Sequence, residues 1–476
     1  MAHNLSNMDI PSNWASYTAA WLATLALILL SRRFCRGRQL NLPPGPKPWP
    51  IIGNLNLIGP LPHHSIHELS KKYGSLMSLR FGSFPLIVAS SAEMARAILK
   101  THDATFAGRP KFNVGKYITY NYSNITWSEY GPYWRQARKI SMMELFSPKR
   151  LESYRYIREE EMKAFLHDLF DMRESPVTLI DHLSDLSLNV ISRMVLGKKY
   201  TQKTDGSIMN PEKFKKMINE VFVLSGGLSI GDSIPWINFL DLDGYIKRMK
   251  AVSKKFDRFL EHVLDEHNER ERGMEDYVAK DMDFIAGGTD TSAVTVEWAM
   301  SELLRKPEII ERATEELNKV IGKERWVQET DIVNLPYINA ITKEAMRLHP
   351  VVPMLIPRLC REDCKIGDYD IPKRTRALVS VWTIGRDPEI WGDPDEFRPE
   401  RFIWREIDVK GQDIELLPFG SGRRMCPGYT LGLKMVHGSL ANLLHGFEWK
   451  LPGEMRPGDL DMEEVFGLTT PRKAFF

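Results

Sequence analysis

Hydrophobic residues recur at helical spacing in several long segments of the chain, and each such segment predicts a helix. Residues 132–180 are predicted to be helical, and residues 213–272 form two long helical patterns separated by a Gly- and Pro-containing break at 225–235. The run from Phe284 to Leu304 is apolar nearly all round, which predicts a helix buried on every side. Residues 76–89 instead predict two short strands around a Gly-Ser-Phe-Pro turn, a small β hairpin.

The N-terminal region has the pattern of a membrane anchor. Trp14–Leu30 contains seventeen residues without a charge, near the lower limit for crossing a bilayer. No Lys or Arg precedes this run, and four arginines follow it directly: Arg32, Arg33, Arg36 and Arg38. This order predicts a single-pass segment with the N-terminus across the membrane and the rest of the chain in the cytosol.

Three regions follow from these patterns. Residues 1–38 are interpreted as the membrane anchor with its basic stop. Residues 39–54 are interpreted as an extended hinge, because five prolines fall between positions 42 and 50 and exclude a helix. Residues 55–476 then form the globular body.

Composition narrows the class of protein. The 476 residues are 43% apolar, enough for a large core, and the net charge of +2 provides no basic excess for binding nucleic acid. The four cysteines are too few for a disulfide framework, which indicates a reducing compartment. Cys360 and Cys364 are interpreted as unpaired thiols, since no second pair completes a zinc site. No carboxylate or cysteine completes a metal site with His63, His64 and His67 either, so these are expected to be exposed helix histidines.

Residues 419–428 (Phe-Gly-Ser-Gly-Arg-Arg-Met-Cys-Pro-Gly) predict a tight loop that presents one sulfur atom. Its glycines let the backbone turn and approach a bulky object, and an apolar run at helical spacing follows it. Cys426 is therefore expected just before a helix N-terminus, beside Arg423 and Arg424. Both features favour the thiolate, the form that binds metal. A buried structural cysteine in a turn is the alternative.

The buried helix contains the segment Ala286-Gly-Gly-Thr-Asp-Thr-Ser292. Small residues there allow a bulky group to lie against the backbone, and hydroxyls can divert helix hydrogen bonds. A buried acid beside a hydroxyl, Asp290 beside Thr291, suits a proton relay to bound dioxygen. A glycine pair that serves only helix packing is the alternative.

Phe419, Gly422, Arg424, Cys426 and Gly428 match the haem-binding signature of the cytochrome P450 monooxygenases, which the chain resembles over nearly its whole length. The resemblance implies a mainly α cytochrome P450 fold with a small β-rich subdomain. It also implies haem b as cofactor, with Cys426 as the axial ligand of the iron. The segment 286–292 matches the oxygen-activation motif of the same family, which assigns Asp290 and Thr291 to the relay.

Further roles follow from the same resemblance. Trp134 and Arg138, four residues apart on one helix face, are expected to reach a haem propionate, and Arg358 is expected to be a second propionate partner. Glu344 and Arg347 form a Glu-x-x-Arg pair that the family joins to a loop arginine, here Arg401. These three residues are structural.

Among plant microsomal cytochromes P450, the chain resembles the flavonoid 3′-hydroxylase-like and trimethyltridecatetraene-synthase-like branch. The resemblance implies insertion of one oxygen from O2 into a hydrophobic or aromatic plant specialised metabolite, a flavonoid, phenylpropanoid or terpenoid. Electrons would come from NADPH through a separate NADPH–cytochrome P450 reductase, at the endoplasmic reticulum membrane. Oxidative C–C cleavage of a terpene alcohol is an alternative reaction. Substrate contacts are expected from the buried helix and from residues 111–125, 351–356 and 466–470.

The chain departs from related enzymes at one place. Asp281-Met282 runs directly into Asp283-Phe284, where relatives have a substantial intervening stretch. The central helix is therefore expected to lack most of its N-terminal half, and the chain also stops early, at Phe476. A truncated, non-catalytic isoform with impaired haem or substrate binding is the alternative function.

Overall fold

The computed structural model describes residues 17–24, 26, 40–199, 211–227, 229–270 and 282–473. Most of the anchor predicted at residues 1–38 lies outside these residues, although 17–24 are helical. Within the described part of the chain, no helix combines the length and the apolar character needed to cross a membrane.

Helices dominate the described residues. The α-helices are α1 Pro62–Tyr73, α2 Ala92–Arg96, α3 Asn113–Tyr117, α4 Pro132–Glu144, α5 Pro148–Ser153, α6 Arg155–Asp171, α7 Leu179–Leu196, α8 Pro211–Gly226, α9 Ile230–Ser233, α10 Tyr245–Arg270, α11 Met282–Arg305, α12 Pro307–Val320, α13 Pro336–Leu348, α14 Val381–Ile384 and α15 Tyr429–Gly446. The helical predictions for 132–180 and for both halves of 213–272 are confirmed, and the break between those halves contains α9 and a 3-10 turn at Pro235–Leu240.

The β structure is small and comes from two parts of the sequence, residues 76–89 and 358–379. The strands are β1 Leu76–Phe81, β2 Phe84–Ala89, β3 Arg358–Leu359, β4 Cys364–Ile366, β5 Tyr369–Ile371 and β6 Arg376–Val379. One sheet has the order β1-β2-β6-β3, in which β1 and β2 form the predicted antiparallel hairpin and β6 runs parallel to β2. A separate hairpin joins β4 and β5.

Helix α11 is the centre of the core, as its nearly uniform apolar pattern predicts. It packs against α7, α13 and α15. Its residues Ile285, Ala293, Trp298 and Leu303 are buried almost completely. Pro307, which suits the first turn of a helix, begins α12 directly after α11 ends.

The proline-rich segment is extended and lies against the β structure. The backbone N–H of Ser78 donates to the carbonyl of Pro44 at 2.8 Å, and that of Asp370 donates to the carbonyl of Asn41 at 2.7 Å. The hinge segment is therefore held against β1 and β5.

Candidate active site

A cavity of about 310 Å³ lies among α7, α8, α11 and the loop that precedes α15. Cys426 borders it, and so do Phe419, Arg424 and Gly428 from the same loop. The other predicted site residues at the cavity are Trp134, Arg138, Arg358 and Thr291. Sequence positions spread over almost 300 residues are thus brought to one space.

Cys426 is held by its own loop. Its backbone N–H donates to the carbonyl of Phe419 at 3.0 Å, and α15 begins at Tyr429, with Gly428 as its N-cap residue. Burial raises the pKa of the Cys426 thiol, while the backbone N–H of Gly428 and the charge of Arg138 act in the opposite direction. In the protein alone desolvation therefore outweighs both favourable contacts, and the role of Cys426 as a thiolate ligand stays a prediction.

The two arginines beside Cys426 in sequence point elsewhere. Arg423 is half exposed and lies 3.3 Å from Asp103, and Arg424 donates to the backbone carbonyls of Ala107 at 2.9 Å and Ser128 at 2.7 Å. The cation that acts on the thiol is instead Arg138, from α4. Neighbours in sequence were a poor guide here because the loop turns sharply at Gly422–Arg424.

Gly422 is required for packing rather than for the cavity wall. It has φ of +72°, and a Cβ atom there would lie 2.3 Å from the carbonyl oxygen of Leu99. Any side chain would be strained in this conformation and would collide with that backbone. Gly422 therefore fixes the loop against residues 97–103.

Four guanidinium groups surround one part of the cavity. Arg138 donates to the carbonyl of Met425 at 2.7 Å, and Arg358 donates to the carbonyl of Ser421 at 2.7 Å. Burial lowers the pKa of Arg358 to about 10, and burial together with the charges of Arg358 and Arg138 lowers that of Arg424 to about 9. Asp103 lies 3.3 Å from Arg358, but the other charges of the cluster repel one another in a low-dielectric space, which a further anion would relieve.

The fourth member, Arg109, was not found by sequence reasoning. It is buried and donates to the carbonyls of Thr126 at 2.9 Å and of Ile356 and Pro357 at 2.8 Å. Burial and the charges of Arg424 and Arg358 lower the pKa of Arg109. The sequence carries no sign of this role beyond an arginine between a glycine and a proline.

The donor set fits haem b. A thiol and a patch of four cations, of which Arg109 and Arg358 are buried, border the same mainly apolar cavity, and haem combines a thiolate-binding iron, an apolar macrocycle and two carboxylates. Trp134, whose indole N–H donates to the carbonyl of Ile125 at 3.0 Å, lies under the guanidinium of Arg424 at 4.6 Å from its ring centre. Trp134 and the four arginines would hold the haem propionates.

Asp290 and Thr291 lie on different sides of α11. Thr291 borders the cavity, and its hydroxyl donates to the carbonyl of Gly287 at 2.9 Å, which diverts a helix acceptor as the sequence predicts. Asp290 does not border the cavity. Burial raises the pKa of Asp290 to about 6, against a small opposing effect of Lys215.

Asp283, in the first turn of α11, fastens a loop over the cavity. It accepts from the side-chain amide of Asn124 at 2.6 Å and from the backbone N–H of Thr126 at 2.8 Å. The same loop presents the carbonyl of Ile125 to Trp134 and that of Thr126 to Arg109. The central helix and the cation cluster are therefore joined through residues 124–126.

Removing this contact is expected to destabilise the fold. Asp283→Ala should lower the free energy of unfolding by about 3 kcal/mol, because at least two buried donors lose their acceptor. In a double-mutant cycle with Asn124→Ala, we expect a coupling energy of about 1–2 kcal/mol, measured by denaturant unfolding. Strictly additive effects would contradict a direct interaction between Asp283 and Asn124.

The remaining cavity walls include two helices that were not assigned to the site. Ser187 and Ile191 come from α7, and Phe222 comes from α8. The C-terminal loop contributes Leu468, whose backbone N–H donates to the carbonyl of Phe222 at 3.2 Å. At this seam a Cβ atom on Gly226 would lie 2.0 Å from the backbone of Gly467, so α8 and the loop touch backbone to backbone.

Glu344, Arg347 and Arg401 form one buried network below the cavity. Arg347 donates to both carboxylate oxygens of Glu344, at 2.7 and 2.8 Å, and Arg401 adds a third contact at 3.0 Å. The backbone N–H of Arg398 completes the set at 2.7 Å. Arg347 also donates to the carbonyl of Pro394 at 2.6 Å, so helix α13 is joined to the loop at 392–401.

Comparison with known proteins agrees with this geometry. The family model for cytochrome P450 matches residues 43–276 and 266–475. Trimethyltridecatetraene synthase of Zea mays is 44% identical, with 92% of this chain and 88% of the relative covered. Flavonoid 3′-monooxygenase of Petunia hybrida is 41% identical over 96% and 95% of the two chains, and dimethylnonatriene synthase of Zea mays is 41% identical over 96% and 94%.

The chain therefore belongs to the cytochrome P450 family, among the plant monooxygenases. The family uses haem b iron, and its electrons come from NADPH through a reductase.

Proposed function

We propose that this protein inserts one oxygen atom from O2 into a hydrophobic or aromatic plant specialised metabolite, and that the Cys426 sulfur would hold the haem iron. The observation that carries the proposal is that the Cys426 thiol borders the same cavity as the small residues Gly287 and Gly288 of α11. Haem, when bound there, supplies the activation of dioxygen and the oxidation of a C–H bond.

The chain's own residues would divide the remaining work. Arg109, Arg138, Arg358 and Arg424 hold the propionates and fix the orientation of the cofactor. Thr291 places its hydroxyl at the cavity, where it would donate a proton, and Asp290 would exchange protons on the other side of the helix. The pKa of about 6 at Asp290 supports this role, because a general acid or base works best when its pKa lies near the working pH.

The substrate class rests on the cavity wall and on the relatives. Ile118, Val351 and Leu468 border the cavity from the three loops assigned to substrate contact, and Thr119 and Thr469 add hydroxyls. Apolar walls with a few polar groups suit a flavonoid, phenylpropanoid or terpenoid. Relatives named flavonoid 3′-monooxygenase and trimethyltridecatetraene synthase support both the phenolic and the terpenoid choice, and with the latter oxidative C–C cleavage.

The endoplasmic reticulum membrane is the proposed location, with the body in the cytosol and a separate reductase as electron donor. Exposed apolar side chains support contact with a lipid surface: Trp236 and Phe239 are 61% and 81% exposed. Trp49 and Ile51 are also exposed, and their segment adjoins the same region because Gly82 contacts both Ile52 and Ser233.

The second candidate function is a truncated isoform without catalysis. Two observations favour it. First, the family model matches in two segments that overlap at residues 266–276, close to the predicted shortening. Second, the alignment with trimethyltridecatetraene synthase of Zea mays extends over 490 positions, which is more than the chain's 476 residues and therefore requires gaps in this chain. Loss of part of the helix before Asp283 would remove one wall of the cavity.

The carbon-monoxide difference spectrum of the reduced, membrane-expressed protein separates the two candidates. We expect the Soret band of a thiolate-ligated haem in the wild type and its loss in Cys426→Ala, because the sulfur is the iron ligand. Cys364→Ala is the matched control, since that half-buried thiol lies outside the cavity and should leave the band unchanged. A wild-type protein without the band, or with only the band of the inactive form, would overturn the monooxygenase proposal and favour the truncated isoform.

A further inference from the structure

Two histidines of α1 meet a carboxylate from the C-terminal segment, and none of these three residues lines the cavity. His63 Nε2 lies 2.6 Å and His64 Nε2 lies 3.2 Å from the same oxygen of Glu464. The ligand atoms of the three side chains lie within 4.8 Å of one another. The expectation that these histidines are exposed is wrong for His63, whose side chain is completely buried, because the completing carboxylate lies 401 residues away in sequence.

We propose that His63, His64 and Glu464 bind a divalent transition-metal ion, with Zn²⁺ the best fit. Two imidazoles and one carboxylate are ligands that zinc accepts, and three protein ligands leave a fourth position for water. His64 is 46% exposed and gives the ion a path from solvent, while Glu464 is 10% exposed and shields the other side.

The geometry needs a small adjustment. Tetrahedral bonds of about 2.1 Å place ligand atoms roughly 3.4 Å apart, so the His64–Glu464 distance already fits and the His63–Glu464 distance must widen by about 0.8 Å.

Arg386 is the unfavourable neighbour of this site. Its guanidinium lies 3.8 Å from the ring centre of Trp382, whose ring in turn contacts His64 at 4.7 Å. Asp395, at 3.3 Å from Arg386, offsets part of that charge. The bound ion would connect α1, at the start of the body, to the C-terminal segment.

The test uses the tag-free holoprotein, stripped with a chelator, and Zn²⁺ as the probe. We expect calorimetric titration to show one equivalent bound, with a matching rise in Tm. His64→Ala and Glu464→Gln should each weaken Zn²⁺ binding by at least about 100-fold, because replacing residues that only support metal ligands already lowers metal affinity by about 10–100-fold. His67→Ala is the matched control, because His67 is a half-buried histidine of the same helix that contacts Thr383 instead. This variant should bind Zn²⁺ with the affinity of the wild type.

Two results would overturn the proposal: no Zn²⁺ binding to the wild type, or the same affinity in all variants. The first would leave only a hydrogen-bonded histidine–glutamate cluster, and the second would place the ion elsewhere. The carbon-monoxide spectrum, recorded on the same samples, should not change in any of these variants. Failure of the metal site is thereby distinguishable from failure of the haem site.

Discussion

Replacing Glu344 with alanine is expected to lower the free energy of unfolding by about 3–5 kcal/mol. The variant leaves Arg347 completely buried without a counter-charge, and Arg401 and the backbone N–H of Arg398 lose the same acceptor. A buried charge that loses its partner cannot recover its hydration, so the cost in stability is large. Breaking an ordinary ion pair three residues apart on an exposed helix costs very little stability. Denaturant unfolding of the purified protein measures the difference.

Two further variants serve as controls for the Glu344→Ala result. Glu344→Gln keeps one acceptor oxygen and should be less destabilised than the alanine variant, so it remains measurable if Glu344→Ala does not fold. Glu144→Ala removes a carboxylate from an exposed pair with Arg150 and should change stability little. Equal effects at Glu344 and Glu144 would show that the buried network contributes no more than a surface pair.

Asp290→Asn is expected to stabilise the protein and to impair turnover. The folded-state pKa of about 6 is above the ordinary value of 3.8, so the folded state binds a proton more tightly than the unfolded state. The stability that this tighter proton binding contributes is fully present below about pH 3.8 and is lost as the pH rises through about 6. At pH 8 the buried charge therefore destabilises the wild type by about 3 kcal/mol, which asparagine avoids.

The measurement is unfolding at several pH values. Asp290→Asn should exceed the wild type in stability at pH 8 and equal it near pH 4, and turnover should fall on the order of 100-fold if the carboxyl group transfers protons. Asp168→Asn, an exposed position on α6, should change neither property. A stability gain that is independent of pH would contradict the raised pKa, and unchanged turnover would remove Asp290 from the relay.

Local patterns predicted the elements better than the contacts between them. The uniform apolar character of 284–304 marked the buried helix, and the turn between β1 and β2 marked the hairpin, because both signals lie within one short stretch. The position of Cys426 before a helix was likewise local. The helix began two residues later than Pro427, which changes nothing at the sulfur.

Tertiary contacts were less accessible. Arg109 was missed because its role depends on carbonyls at 126 and 356–357 that only the folded chain brings together. Arg423 and Arg424 were expected to act on the thiol because they adjoin it in sequence, yet Arg138 from another helix does so. Sequence reasoning also found no partner for His63, whose carboxylate arrives from the opposite end of the body.

Because of the four-arginine cluster, the stability of the folded protein is expected to depend on the supply of haem. Before haem binds, these like charges repel one another, which lowers the stability of the folded state. Ligand binding to the native state alone raises its stability by mass action, so haem delivery is expected to raise the folded fraction. Cells that make this protein faster than they make haem would then accumulate more unfolded chain, and proteolysis would set how much enzyme survives.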